Sequence, residues 1–296
     1  MTEKTSEQLY RYTGKKIINL TKIKTAVPIP NNEKEIKASI QANIKQLNQL
    51  EDQLYAQNRY GVVIIFQALD AAGKDSMIRH VLSGVNPQGC SVVNFKQPSS
   101  KELAHDFLWR IHQALPERGH IGVFNRSYYE DVLAPQVHPE LLLNEHLPKI
   151  NRLADIQPEF FSTRYTDLNQ FETYLNHCGY QVLKFFLHIS KDEQKKRFER
   201  RIEIPEKTWK FSTSDIHERA YWDTYQRVYS DVITATASRQ NPWYIIPADN
   251  KWQSRKIVSN IINARLSALP LAYPKTSANQ KQALTKVLNE LEQNKI

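Results

Sequence analysis

Cysteine is almost missing from this chain. Cys90 and Cys178 are the only two in 296 residues. That is too few for a disulfide framework or a four-thiolate zinc site, and it fits a reducing compartment, the cytoplasm. Nine histidines are scattered without a His-Glu-x-x-His pair, so a zinc enzyme lacks its ligands. Residues 1–10 carry no apolar run of the secretory kind. No stretch approaches the ~20 apolar residues of a membrane helix. Glycine is scarce at eight, which excludes low-complexity and fibrous classes. No Gly-x-Ser-x-Gly or comparable nucleophile motif occurs. What the chain does have is a core and a charge. Hydrophobic residues make up 41% and charged residues 24%, enough for one large domain or two modest ones. The net charge of +9 points to an anionic partner: nucleic acid, acidic lipid or a phosphate-rich small molecule.

Residues 1–31 are polar and mixed and read as an irregular arm. Ile36, Ile40, Ile44, Leu47, Leu50 and Leu54 then recur at steps of three and four, one amphipathic helix from about 32 to 55. Short apolar runs at 62–66, 91–95, 121–124, 182–189 and 243–246 read as buried strands. Helical patterns lie between them at 74–82, 100–114, 168–178, 191–201 and 215–237, and another follows at 252–266. Strands alternating with helices predict a three-layer α/β/α fold with a parallel sheet of about five strands. Residues 32–266 form its single domain. Pro270 and Pro274 break the chain, and 267–296 is a tail with a separate helix.

Such sheets place their sites beyond the carboxyl ends of the strands. After Phe66 comes Gln67-Ala68-Leu69-Asp70-Ala71-Ala72-Gly73-Lys74-Asp75-Ser76. Strand before, helix after and Gly73-Lys74 match a phosphate-binding loop. Small Ala71 and Ala72 let backbone N–H groups curl round an anion at a helix N-terminus. Two positions depart: Ala68 replaces the first Gly, and Asp75 replaces the magnesium-binding hydroxyl. Asp70 can supply an oxygen ligand instead; Ser76 stands one position late. An ordinary strand–turn–helix is the plain alternative.

Beyond the third strand, Asn125-Arg126-Ser127-Tyr128-Tyr129-Glu130-Asp131 offers a forked phosphate grip in Arg126 and carboxylates close behind. It also reads as a helix start capped by Ser127, with Glu130 as capping-box partner. The segment 191–210 is strongly basic, with Arg197 and Arg201 on one helix face. A solvated face explains that, and so does a lid whose arginines close over a transferring phosphoryl group. Trp222, Tyr225 and Tyr229 recur at helical spacing and read as core.

Taken together, the segments 68–75, 83–89 (Ser-Gly-Val-Asn-Pro-Gln-Gly), 125–130, 205–212 (Pro-Glu-Lys-Thr-Trp-Lys-Phe-Ser) and 247–252 (Pro-Ala-Asp-Asn-Lys-Trp) resemble family-2 polyphosphate kinases over roughly residues 30–266. The resemblance implies a P-loop kinase core like that of thymidylate kinases, with a helical lid at about 191–237. It implies transfer between inorganic polyphosphate and AMP, ADP or ATP, with magnesium, or manganese in its place. By position Asp70 is the acidic residue of the Walker A loop, Lys74 its lysine and Arg126 the arginine of the Walker B segment. Arg197 and Arg201 are lid arginines, and Lys210 belongs to the Trp-Lys pair. Asn125, where many members carry Asp, resembles the subgroup that accepts both AMP and ADP, with Glu130 supplying the charge Asn125 lacks.

Polyphosphate is a long polyanion without base or sugar, so its site needs cations more than a shaped pocket. The expectation is that Asp70 and Glu130 hold magnesium while Lys74, Arg126, Arg197 and Arg201 stabilise the transferring group. Ala71, Ala72, Gly73, Asp75, Ser76, Asn125 and Lys210 complete the phosphate and nucleotide contacts. The chain is expected to form a homo-oligomer and to bind neither nucleic acid nor membrane. An ATP-dependent nucleoside monophosphate kinase shares this core; a basic nucleic-acid binder with an inactive loop would not keep Lys74 beside Asp70.

Overall fold

The computed structural model describes residues 4–28, 32–210 and 213–293. Its strands are β1 (Arg11–Tyr12), β2 (Gly61–Gln67), β3 (Cys90–Asn94), β4 (Ile121–Asn125), β5 (Tyr180–His188) and β6 (Trp243–Pro247). They form one six-stranded sheet in the order β1-β6-β5-β2-β4-β3. All pairings are parallel except β1 with β6. Every residue of β2 is buried. This is why Val62 to Phe66 is a continuous apolar run and not an alternating one.

Helices cover both faces. Chain order runs α1 (Ser6–Tyr10), α2 (Glu33–Gln57), α3 (Lys74–Val81), α4 (Ser100–Leu103), α5 (Trp109–Ala114) and α6 (Glu130–Val137). There follow α7 (Phe160–His177), α8 (Lys191–Glu203), α9 (Thr213–Glu218), α10 (Trp222–Thr236), α11 (Lys251–Ser267) and α12 (Ala278–Glu292). The stripe Ile36, Ile40, Ile44, Leu47 and Leu54 of α2 is buried, and α2 packs on α11. α10 packs on α6 and α7. No helix among the described residues is long and apolar enough to cross a membrane.

Three expectations change. The sheet has six strands, because the arm read as irregular contains α1 and the edge strand β1. Arg11 pairs Tyr244 and Tyr12 pairs Trp243. The arm is pinned further by Leu20, whose N–H donates to Ser230 Oγ at 3.1 Å and whose carbonyl meets His188 Nε2 at 3.0 Å. A two-residue strand has no period to read, so tertiary pairing decides it. The helix expected over 100–114 is broken, because Asp106 accepts the Leu108 N–H at 3.0 Å in an Asx turn and restarts the chain at α5. The helix expected over 215–237 divides into α9, a 3-10 turn at Arg219–Tyr221, and α10.

The chain leaves β2 in one direction to build β3 and β4, and crosses to the other side for β5 and β6. The carboxyl end of β2 is therefore the switch point, where the fold opens a crevice.

Candidate active site

The loop of residues 68–73 leaves β2 at that point. Ala71 takes a left-handed backbone (φ 60°), and so does Gly73 (φ 97°). For alanine this costs about 1–2 kcal/mol and persists only where surroundings hold it. Gly73 caps α3 without a side chain, leaving first-turn N–H groups for an anion. Lys74 folds back, its Nζ donating to Ala68 O at 2.9 Å. Burial, then the nearby Arg126, pulls its ammonium below the ordinary lysine value, while Asp70, Glu130 and Asp75 oppose the shift.

β4 delivers the second group. Its ladder with β2 continues past the strand end, since Arg126 N–H donates to Phe66 O at 3.0 Å. Arg126 also has a left-handed backbone (φ 62°), and this turns its side chain back over the first loop. Its Nη2 lies 3.2 Å from Asp70 Oδ1. Glu130 foremost, and Asp70 after it, raise the Arg126 guanidinium above its already high value. Asn125 is used differently from a metal ligand: its Nδ2 donates to Asp75 Oδ1 (2.9 Å) and Asn94 Oδ1 (2.7 Å).

The expected capping box at Ser127 does not form. Tyr129 is the N-cap of α6, and Ser127 Oγ accepts the Tyr129 N–H at 3.2 Å. Glu130 is held instead by Gln67. With the amide assigned by its hydrogen bonds, its nitrogen donates to Glu130 Oε1 at 2.9 Å and its oxygen accepts from Ser127 N–H at 3.1 Å. Beneath this turn lies a buried ionic network. Lys184 Nζ donates to Glu172 Oε2 (2.7 Å), Tyr129 Oη (3.0 Å) and Thr236 O (2.8 Å). Tyr128 and Tyr129 both donate to Glu172 Oε1, at 2.8 and 2.7 Å. The Tyr-Tyr pair thus fixes the turn that carries Arg126 and Glu130.

α8 supplies Arg197, which lies under the loop and not over the crevice. Its side chain is 6% exposed. It donates to Ala72 O (2.5 Å), Ala248 O (2.6 Å) and Glu193 Oε1 (2.7 Å), with longer contacts to Ala71 O and Asp249 O. Arg201 stacks over Phe198 at 5.4 Å. Ser76 Oγ accepts from Arg255 Nη2 at 2.8 Å. The Lys210 side chain, Phe211 and Ser212 lie outside the described residues.

A cavity of about 630 Å³ opens beside the loop. Asp70, Arg126 and Glu130 line it, and so do Trp222, Tyr225 and Tyr229. The aromatic residues read as core therefore present one face to the crevice. Sequence reasoning did not single out several polar residues of the cavity wall, among them Arg110, His138 and Glu218, and gave Asp131 no role of its own. Arg110 meets both Asp131 oxygens at 3.3 Å. Burial pushes the Asp131 carboxyl up to about 7, against the pull of Arg110 and Arg164. His138 Nε2 stands 3.1 Å from Glu218, which also accepts from Tyr225 Oη at 2.8 Å. Asp131 and His138 lie seven apart along α6 and its C-cap, but no spacing rule links either of them to Arg110 or Glu218.

A strand–loop–helix anion cradle, a lysine at its helix start, and an arginine between two carboxylates over a nucleotide-sized crevice define a P-loop phosphotransferase. The sheet order belongs to the same class. Within it, the chain belongs to the polyphosphate kinase 2 family, whose family model matches residues 30–274. It is 46% identical to an "ADP-polyphosphate phosphotransferase" of Rhodopseudomonas palustris over 93% of this chain and 94% of that protein. It is 41% identical to an "AMP/ADP-polyphosphate phosphotransferase" of Meiothermus ruber over 78% of this chain and 80% of the relative. The crystal structure of polyphosphate kinase 2 from Arthrobacter aurescens TC1 superposes with a TM-score of 0.85 at 33% identity, covering 95% of this chain and 96% of that one.

Proposed function

We propose that this protein transfers a phosphoryl group from inorganic polyphosphate to AMP and ADP, forming ADP and ATP. One observation carries the reading: Arg126 sits against Asp70 at the mouth of the cavity, beside the phosphate loop. The donor phosphates lie in the loop, between the Ala71 and Gly73 N–H groups and Lys74. The acceptor nucleotide occupies the cavity, with its phosphate toward Arg126. Transfer is in line and needs positioning and charge neutralisation more than a protein nucleophile.

Asp70 and Glu130 fit a magnesium ion, with manganese as the alternative. Both are carboxylates that face one cavity, and both act on the charges of Lys74 and Arg126. No group of three metal-ligating side chains occurs among the described residues, so phosphate oxygens and water would complete the shell, as magnesium prefers. Bound there, the ion would neutralise the phosphoryl oxygens. Lys74 and Arg126 share that work, and the reading assigns Arg201 and Lys210 to it as cations of the lid segment. Asn125 keeps Asp75 in place. Acceptance of both nucleotides rests on the Asn125–Glu130 pattern and the likeness to the Meiothermus relative. The reading includes a cytoplasmic setting, supported by two unpaired thiols. It also includes a homo-oligomer, for which the exposed Leu284, Leu288 and Leu291 of α12 offer surface.

The test is incubation with AMP, magnesium and long-chain polyphosphate, without ATP, in parallel with ADP as acceptor. ADP and then ATP appear from AMP, and neither appears with Lys74→Ala. Product from ADP alone overturns the dual-acceptor reading. Turnover only after ATP is added overturns the polyphosphate reading in favour of an ATP-dependent kinase.

A further inference from the structure

Three consecutive carbonyls of the phosphate loop are gripped by one face of α8. Gln194 Nε2 donates to Asp70 O at 3.0 Å, and Arg197 Nη1 donates to Ala71 O at 3.4 Å and Ala72 O at 2.5 Å. The two side chains are three residues apart, hence neighbours on the helix. In a planar trans peptide the C=O and the following N–H point in opposite directions. Turning these carbonyls toward α8 turns the N–H groups of Ala71, Ala72 and Gly73 away from it, toward the side an anion must approach. Ala72 N–H closes a turn on Leu69 O at 3.3 Å. Among the described residues, the Ala71 and Gly73 N–H groups have no backbone acceptor. Successive N–H groups around a left-handed residue such as Ala71 form an anion nest.

Gln194 is itself oriented. It is 3% exposed, and its Oε1 accepts from Arg219 Nη1 at 2.8 Å. Arg219 is anchored by a further bond to Lys191 O at 2.9 Å. A guanidinium only donates, so it must face the amide oxygen. The amide nitrogen is thereby committed to Asp70 O. A flipped amide would set oxygen against oxygen at the loop and nitrogen against nitrogen at Arg219.

We propose that Gln194, oriented by Arg219, is a positioning residue for the donor phosphates, holding the loop's N–H groups in their anion-binding arrangement; both side chains also border the cavity beside the loop. The identity of the anion rests on the polyphosphate kinase reading. The variants are Gln194→Glu, which is close to isosteric, keeps an acceptor for Arg219 and loses the donor to Asp70 O, and Gln194→Met, which loses the donor without adding a negative charge beside the anion. Loss of binding in Gln194→Glu alone is charge repulsion and overturns the positioning role. The probe is inorganic tripolyphosphate with magnesium and no nucleotide, measured by calorimetry.

Binding to both variants is expected to weaken about tenfold, the order of one buried polar group left unpaired. KM for polyphosphate rises, KM for ADP stays within about twofold, and the thermal midpoint holds near wild type. Arg219→Ala weakens tripolyphosphate binding in the wild-type background and adds nothing in a Gln194→Ala background, because both act through one amide. Wild-type affinity in Gln194→Glu, or additive losses in the double variant, would overturn the proposal. If Gln194→Glu does not fold, Arg219→Ala decides alone, since Arg219 is only half-buried. Unchanged tripolyphosphate binding there overturns the relay. A wild-type protein that binds tripolyphosphate but makes no nucleotide overturns the kinase reading instead, while the binding comparison still decides this one.

Discussion

Arg197→Ala separates two roles that one arginine could have in a kinase. A free lid arginine would be lost at the expense of turnover, with little change in stability. The geometry here is the opposite. The guanidinium is buried and joins Ala72 O at 2.5 Å, Ala248 O at 2.6 Å and Glu193 Oε1 at 2.7 Å. Bonds from a charged donor contribute about 1.5–3 kcal/mol each. Two such bonds to buried carbonyls, with Glu193 left partly exposed to water, give about 3–5 kcal/mol for the truncation. For a chain of this size that is roughly 6–20 °C in the thermal midpoint. Arg197→Lys keeps the charge but not the fork, so it recovers only part of the loss. The assay is thermal unfolding of both variants, followed by nucleotide formation from polyphosphate well below their midpoints. A midpoint within about 2 °C of wild type, together with lost activity, would refute this reasoning and restore Arg197 to the transferring phosphoryl group.

Three further outcomes are expected. Lys184→Met leaves Glu172 buried and unpaired, which costs about 3–5 kcal/mol; a denaturant midpoint close to wild type would show that the network carries little. Asn125→Asp sets a second carboxylate where Asn125 now donates to Asp75 at 2.9 Å. The like charges repel, so nucleotide formation is expected to fall; an unchanged rate would refute that. Asp131, raised from 3.8 to about 7, holds a proton in the folded state that the unfolded chain has lost. Its stabilising contribution is full below about 3.8 and is lost as pH rises through about 7. Thermal midpoints measured from about pH 5 to pH 8.5 should fall more steeply for wild type than for Asp131→Asn; parallel curves would contradict the shift.

Features that repeat locally along the chain were legible in it. The central strands were legible because burial on both faces demands unbroken apolar runs. The α2 stripe was legible because one helix face repeats every three or four residues. The phosphate loop was legible because its glycine, lysine and small residues must be contiguous. The family followed from five such segments in order. The rest came from packing between distant parts of the chain. β1 is two residues long, and the β6 edge, not its own composition, makes it a strand. The break at Asp106 came from one side-chain bond that competes with the helix. Arg197 carried the same charge whether above the loop or beneath it, and only packing against Ala72 and Ala248 put it beneath. Arg110 meets Asp131, and His138 meets Glu218, only because distant segments pack together at the crevice. Gln194 had no signal at all, because an amide on a basic helix becomes informative only when its two partners are known. Contiguous chemistry can be read along the chain; chemistry assembled from distant residues depends on side-chain direction, which the fold supplies.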